Sequence, residues 1–249
     1  MTIDSTQILV AVALLFAAFV KGTSGMGFPL IATPTVALLL DIRTAITILI
    51  IPNLVMDVAQ VFRGGFPFHV LKRFGWLFSL TVLGVFLGTK VLVSLPLWVL
   101  NFCLGVMVLV FVISNLLRIE FTISPRLEKI LNFPAGLLSG FLNGLTNAAG
   151  PALAIYLYSL KLQKAEFIKS IATIFVVTKL SQLAAVSTWN LFNWSTLSLS
   201  LQVTLFILAG FYAGLKLQDR INQQTFSRGL LALLSLIGVT LIVRSALQA

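Results

Sequence analysis

Long runs without a charged residue constrain this chain more than any other feature. Residues 91–117, 130–160 and 180–215 each contain no Lys, Arg, Asp or Glu. A helix of about 20 apolar residues crosses the hydrocarbon core of a bilayer, so each run is long enough to span one. Of the 249 residues 59% are hydrophobic and 10% are charged, whereas about 25% are charged in an average soluble domain. The sequence predicts an all-α polytopic membrane protein and excludes a water-soluble enzyme.

The charges that remain are mostly basic. The chain has 17 Lys and Arg against 7 Asp and Glu, a formal net charge of +10. The basic residues lie in short loops between apolar runs, where they orient membrane helices under the positive-inside rule. No basic stripe with interleaved aromatic residues occurs, so we expect no nucleic-acid partner. The single His69 and the single Cys103 exclude the usual multi-histidine metal sites, and no cofactor is expected.

The apolar stretches predict ten helical segments, of which two pairs are short. The pairs are 8–20 with 28–40, and 131–142 with 150–160. Thirteen residues of helix, as in the first pair, measure about 20 Å, less than a hydrocarbon core of about 30 Å. The stretch within each pair is too rich in glycine to continue as a stable helix. We therefore predict two broken helices. The other segments are 44–62, 74–89, 91–117, 167–187, 196–217 and 229–247.

The chain also contains an internal repeat. Identical residues recur at an offset of 122 residues, among them the pairs Gly22 and Gly144, Pro29 and Pro151, and Gln60 and Gln182. A Gly-x3-Gly-x-Lys stretch occurs at 84–90 and again at 210–216. Repeats of this kind predict a duplicated architecture. We expect a first transmembrane repeat at 1–118, a cytoplasmic linker at 119–130 and a second repeat at 131–249.

The loop charges predict that the second repeat is inverted. Loop 63–73 is basic and its counterpart 187–195 is uncharged, whereas loop 216–228 is more basic than its counterpart 90–97. Under the positive-inside rule, equivalent loops then lie on opposite sides of the membrane. The basic loops, including 161–169, are placed inside. Each repeat has five helices, which are two short broken helices and three full spans.

Inverted repeats with broken helices are typical of secondary transporters, which bind substrate near the membrane midplane. The helix after each turn offers free backbone N–H groups and the positive end of its dipole, which favour a small anion. Nearby hydroxyls and amides add neutral donors. The predicted substrate-binding residues are Lys21, Thr23, Ser24, Gly25, Gly27, Asn143, Thr146, Asn147 and Gly150.

The alternative interpretation is that glycine and proline at these turns serve close helix packing and a kink. Two such turns at repeat-equivalent positions favour the anion pocket. The glycine pairs Gly84/Gly88 and Gly210/Gly214 are instead interpreted as close packing between helices.

Charged residues within apolar segments are costly and often functional. Lys21 borders the first turn, where it either attracts the anion or extends its ammonium toward the surface. Asp57 and Lys179 are repeat-equivalent and opposite in sign. Inversion places them at different depths, so a direct pair is not favoured, and Asp57 is the candidate for proton coupling. Gln60 and Gln182 line the pathway or form helix-to-helix hydrogen bonds.

The turns also resemble those of a known family. Gly-x-x-Gly-x-Gly-x-Pro at 22–29, Asn-Gly-x-x-Asn-x-x-Gly-Pro at 143–151 and the later Gly-x3-Gly are similar to the sulfite exporter TauE/SafE family. The resemblance covers almost the whole chain and both repeats. Met26, Phe28 and residues 147–149 depart from the usual glycine runs. The resemblance implies transport of sulfite, sulfonates or related anions across the bacterial inner membrane. Composition and spacing alone indicate only a small anion.

Together these observations predict a secondary transporter that moves a small sulfur-containing anion by alternating access, with proton coupling as a further hypothesis. A passive anion channel is the alternative, because the same pocket could serve it. No set of nucleophile, base and acid occurs in the sequence, so we do not expect an enzyme. The expected partners are the anion and the lipid bilayer. Whether the chain forms a homo-oligomer is left open.

Overall fold

The structure, a computed structural model, describes residues 5–37, 39–63, 65–117, 122–148, 150–218 and 223–248. These residues form α-helices and no strands. The helices are α1 Ser5–Ser24, α2 Phe28–Ala37, α3 Ile42–Ile48, α4 Ile50–Phe62, α5 Phe68–Arg73, α6 Gly75–Ser94, α7 Leu97–Leu116, α8 Pro125–Thr146, α9 Gly150–Ser159, α10 Lys164–Thr188, α11 Trp194–Leu217 and α12 Gln223–Gln248.

Six stretches of the described chain are long and apolar enough to cross a membrane, with α3 and α4 acting together as one of them. This confirms the prediction of an all-α polytopic membrane protein. The six are Ile42–Phe62, Gly75–Ser94, Leu97–Leu116, Lys164–Thr188, Trp194–Leu217 and Leu231–Gln248.

Both broken helices are present, but the first member of each is longer than predicted. α1 has 20 residues and α8 has 22, which makes them about 30 Å and 33 Å long. α1 continues through Lys21 because that ammonium is paired inside the protein with Asp57. α8 begins at Pro125, within the predicted linker, and Ser124 caps its N-terminus. Residues 119–121 of that linker lie outside the described residues.

A proline, and not a charge, separates α6 from α7. The sequence interpretation divided these helices at Lys90, which was wrong. Lys90 is exposed on the side of α6, and the helix continues to Ser94. Leu95 is extended, with ψ 148°, because it precedes Pro96. A residue before proline is disfavoured in the helical conformation, so the helix ends there.

Another proline explains the interruption between α3 and α4. Pro52 has no N–H with which to hydrogen-bond the carbonyl of Ile48, and its ring crowds that carbonyl. The helix breaks at Leu49, and the hydroxyl of Ser200 in α11 donates to the Ile48 carbonyl instead. The predicted segment 44–62 is therefore one membrane span with a break in it.

The first helix of each half packs against a long helix of the other half. α1 contacts α11, and α8 contacts α6. Gly84 and Gly88 face backbone carbonyls of α8 so closely that a Cβ would overlap them, and Gly210 and Gly214 face α1 in the same way. This confirms that the two glycine pairs serve close helix packing. Such an exchange of partners is the pattern that a twofold-related duplication predicts.

Basic loops predicted to lie on the same side meet on one face. Arg73 forms a bidentate ion pair with Glu128 at 2.7 and 3.0 Å and a second ion pair with Glu166 at 3.0 Å. Arg63 donates to the side chain of Gln218. Residues from loop 63–73, the start of α8, the start of α10 and the end of α11 thus form a single basic face.

The loops predicted to lie on the other side of the membrane also lie close to one another. Arg43 donates to three carbonyls between Leu92 and Leu95, at 2.6–3.0 Å, and so caps the end of α6. The rings of Phe86 and Trp189 lie 6.2 Å apart near the same end. This grouping of loops is the one that the inverted-repeat prediction requires, and the inversion itself stays a prediction.

Candidate functional site

The two turns between the broken helices begin with the same backbone conformation, at Gly25 and at Asn147. Gly25 has φ +83° and Asn147 has φ +64°, a left-handed region that favours glycine and asparagine. Each residue donates its N–H to the carbonyl four positions earlier, of Lys21 and Asn143 respectively, at 2.8 Å. The chain then re-enters a helix, α2 after the first turn and α9 after the second. The same local hydrogen-bonded turn therefore occurs twice in the chain.

The turns meet at a small enclosed cavity of about 10 Å³, room for about one water molecule. Residues of both turns line it, including the predicted site residues Gly27, Asn143, Asn147 and Gly150. The amide of Asn147 donates to the hydroxyl of Thr33 on α2 at 3.1 Å, which joins the second turn to the first half. The other lining residues are Pro29, Leu30, Asn53, Ala148, Phe175 and Lys179.

Lys21 is fully buried at the end of α1 and does not reach the surface. Its ammonium forms an ion pair with Asp57 at 2.6 Å and donates to the amide oxygen of Asn53 at 2.8 Å. The ring of Phe175 lies 5.2 Å from the same nitrogen. The amide of Gln60 donates to the backbone carbonyl of Lys21 at 2.9 Å. The first turn is thus fixed to α4 by one ion pair and two amides.

Lys179 lies beside the second turn, on the facing helix α10. Its ammonium donates to the amide oxygens of Asn143 at 2.9 Å and Gln182 at 2.8 Å, and it also contacts the amide oxygen of Asn147. The amide of Gln182 donates to the backbone carbonyl of Asn143 at 3.0 Å. The ion pair of Asp57 is with Lys21 and not with Lys179.

The hydroxyls predicted as donors bind backbone carbonyls in this structure. Thr23 and Ser24 both donate to the carbonyl of Val20 at 2.8 Å, and Thr146 donates to that of Leu142 at 2.9 Å. To donate to an anion, these groups would first have to release the carbonyls.

Sequence reasoning missed three residues of this region: Asn53, Thr33 and Phe175. A signal for the first was available, because Asn53, Asp57 and Gln60 follow one another at the i, i+4, i+7 spacing of a helix face. No pattern in the sequence marks Thr33 or Phe175, since both are placed there by packing between distant helices.

A larger cavity of about 560 Å³ opens on the basic face. Gln60 lines it, and the same side chain donates to the carbonyl of Lys21, so one residue connects the wall of this cavity to the first turn. The charged or titratable residues in its wall are Arg63, His69, Lys164, Glu166 and Lys169. Four of these five are basic, which favours anions in the cavity.

A family model described as sulfite exporter TauE/SafE matches residues 10–241 of the chain. The match spans both broken helices and all the residues of the site described above. No curated protein and no solved structure matches the chain.

Proposed function

The chain belongs to the sulfite exporter TauE/SafE family, and from this premise we propose that it is a secondary transporter of a small sulfur-containing anion such as sulfite or an organosulfonate. A membrane transporter of sulfur anions is what the family implies. The finer parts of the proposal are the substrate-binding site, alternating access, proton coupling and a place in the bacterial inner membrane.

One observation carries the proposal: two broken-helix turns that begin with the same backbone conformation meet at a small cavity, and its wall includes three asparagines and Lys179. Irregular backbone at membrane depth is tolerated only where it is buried in protein or lines a cavity. Transporters with inverted repeats bind substrate at such turns, near the midplane. The substrate-binding residues of the proposal are those predicted from the sequence, which are Lys21, Thr23, Ser24, Gly25, Gly27, Asn143, Thr146, Asn147 and Gly150.

The size of the cavity supports alternating access. At about 10 Å³ it holds about one water molecule, so an oxyanion enters only if the two turns and Phe175 move apart. The basic cavity of about 560 Å³ supplies the route from one face. Under the positive-inside rule that face is cytoplasmic.

Counterflow in proteoliposomes tests the function directly. Purified protein is reconstituted, loaded with unlabelled anion and given labelled sulfite, sulfoacetate, sulfate or chloride. We expect saturable counterflow of a sulfur-containing anion, lost in Asn147→Leu. The matched control is Asn115→Leu, since Asn115 is exposed on α7 and away from the turns. Absence of flux for all four anions would contradict the proposal.

The same assay separates a carrier from a passive anion channel. A carrier exchanges labelled for unlabelled anion and saturates, because one substrate occupies one site in each cycle. A channel conducts without saturation at modest concentration and shows no counterflow. The closed cavity between the turns supports the carrier.

Proton coupling through Asp57 is a separate part of the proposal. Asp57 is the one buried carboxylate within the described residues, and it is bonded to Lys21 at 2.6 Å. Protonation of Asp57 would remove the counter-charge of Lys21 and loosen the contact between α1 and α4. We expect Asp57→Asn to transport without its usual response to a pH gradient. An unchanged response would exclude Asp57 as the coupling group.

A further inference from the structure

Three ionisable side chains are at most 1% exposed within the described part of the chain: Lys21, Asp57 and Lys179. The charges of Lys21 and Asp57 cancel in an ion pair of 2.6 Å. Among the described residues, no carboxylate lies within ion-pair distance of Lys179. The region between the two turns therefore contains one positive charge without a bonded counter-charge.

Every described hydrogen-bond acceptor of the Lys179 ammonium is a neutral amide oxygen, from Asn143, Asn147 and Gln182. A buried ammonium is costly unless an opposite charge accompanies it, since amide oxygens replace only part of its hydration. If position 179 served only helix packing, a neutral side chain would be sufficient there. The retained charge therefore requires a reason beyond packing.

A second incomplete group lines the same cavity. The side-chain amide nitrogen of Asn53 is buried and has no hydrogen-bond partner, while the oxygen of that amide accepts from Lys21. Asn53 and Lys179 are both in the wall of the enclosed cavity. One ligand that carries a negatively charged oxygen would supply an acceptor for Asn53 and a counter-charge for Lys179. Buried polar groups without partners are rare in proteins, and each calls for an explanation, such as a bound ion.

The first half shows what such a ligand would do. Asp57 and Lys179 are repeat-equivalent positions, as are Lys21 and Asn143. In the first half a lysine on the broken helix is neutralised by a carboxylate on the facing helix. In the second half the lysine is on the facing helix, and the broken helix offers it an asparagine. Among the residues that the structure describes, no carboxylate completes the second pair.

We infer that Lys179 is the residue that binds the charge of the transported anion, with the amide of Asn53 as a second donor, while Lys21 is paired with Asp57. This inference rests on the proposed function. The inferred ligand is a small oxyanion. It would pair with the ammonium of Lys179 as the carboxylate of Asp57 pairs with the ammonium of Lys21. The inference assigns the attracting charge to the second turn, whereas the sequence interpretation assigned it to Lys21.

Substitution Asn143→Asp tests the inference without a change in side-chain shape. The new carboxylate would lie where the Asn143 amide oxygen now lies, 2.9 Å from the Lys179 ammonium. It would form an intramolecular ion pair and compete with the anion. We expect the midpoint of thermal unfolding to rise, and the Kd for sulfite to increase about 30-fold or more, as for loss of one partner in a buried charge pair.

Asn132→Asp is the matched control. Asn132 is buried on the same helix and accepts from the hydroxyl of Tyr156 at 2.7 Å, so it lies outside the cavity. Both variants and the wild-type chain are measured as full-length protein, by sulfite binding and by the shift that sulfite causes in the thermal midpoint. The control is expected to keep the wild-type Kd.

The outcomes separate the inference from the proposed function. Sulfite binding by the wild type and control but not by Asn143→Asp supports the inference. Equal binding by all three overturns it and leaves the transporter proposal standing. If the wild type binds none of sulfite, sulfoacetate, sulfate and chloride, the transporter proposal fails and the inference with it.

Two further variants decide the case if Asn143→Asp does not fold. Lys179→Gln removes the charge and is expected to abolish the shift that sulfite causes in the thermal midpoint. Asn53→Leu removes the neutral donor, together with the amide oxygen that accepts from Lys21, and is expected to raise the Kd about tenfold, the effect of one hydrogen bond to a charged group. Wild-type affinity in both variants would overturn the inference.

Discussion

The two broken-helix turns begin with the same backbone conformation but differ in electrostatics. Gly25 and Asn147 occupy equivalent left-handed positions, and each closes the same hydrogen bond to the residue four positions earlier. Gln60 and Gln182 then bind the carbonyl of that earlier residue from the facing helix, at 2.9 and 3.0 Å. Beside the first turn, however, Lys21 is paired with the carboxylate of Asp57. Beside the second turn, the ammonium of Lys179 is bonded to neutral amide oxygens.

This difference shows which parts of a duplicated site are free to diverge. The turn hydrogen bonds are demanded by the backbone, because a buried N–H or carbonyl needs a partner in both halves. Gln60 and Gln182 add a second donor to the same carbonyls. The charged residues are not demanded by the backbone. One half can therefore hold the turns together while the other half retains a charge for a ligand.

The largest predicted effect comes from breaking the ion pair of the first turn. Asp57→Leu leaves the Lys21 ammonium buried without a counter-charge. We expect a destabilisation of about 3–5 kcal/mol, the usual result of removing one partner of a buried pair. The midpoint of unfolding in detergent, by heat or by denaturant, measures it.

The double variant Lys21→Met/Asp57→Leu is the control for that prediction. It removes both charges, so most of the lost stability should return, since well-packed apolar residues replace a buried pair at little cost. An equal loss in the single and double variants would mean that Asp57 acts through packing and not through its charge.

The second prediction concerns the glycines that precede the turns. Gly22 faces the backbone of α11 and Gly144 faces the backbone of α6, each so closely that an added Cβ would overlap a carbonyl. We expect Gly22→Ala and Gly144→Ala to lose similar amounts of stability, about 1–3 kcal/mol, because the helices must move apart.

Gly75→Ala is the matched control for those glycines, since nothing lies within 4 Å of the position of its added Cβ. Its thermal midpoint should equal or exceed that of the wild type, because alanine is the better helix former. A loss at only one of Gly22 and Gly144 would show that the two crossings are not equivalent.

The smallest predicted effect concerns the turn conformation itself. Gly25→Ala should destabilise by about 1–2 kcal/mol, since alanine is strained at positive φ. Gly25→Asn should cost less, because asparagine tolerates that region and occupies it at position 147. Both variants place a Cβ 3.3 Å from the side chain of Ile168, so the cost of that contact is common to the two. Equal midpoints would contradict the comparison of the two turns.

Much of this site could be predicted from local pattern. The glycine-rich stretches at 22–29 and 143–151 predict breaks because glycine is a poor helix former, and breaks occur there. Helix ends near charges were harder to predict. Lys21 and Lys90 are both lysines at the ends of apolar runs, and both lie inside helices. Lys21 is tolerated because a distant carboxylate pairs with it, and Lys90 because it lies on an exposed face.

The sequence by itself determined the membrane class, the family, the broken helices and the repeat-equivalent positions, because apolar runs, glycine, proline and spacing act along the chain. Only the tertiary structure decided that Asp57 bonds Lys21, that Lys179 has amides for partners and that Asn53 joins the cavity. The bonds of Lys21 with Asp57 and of Lys179 with Asn143 each join residues 36 positions apart. Whether a buried charge is neutralised depends on which side chains the packed helices bring within a few ångströms, and local pattern does not encode that distance.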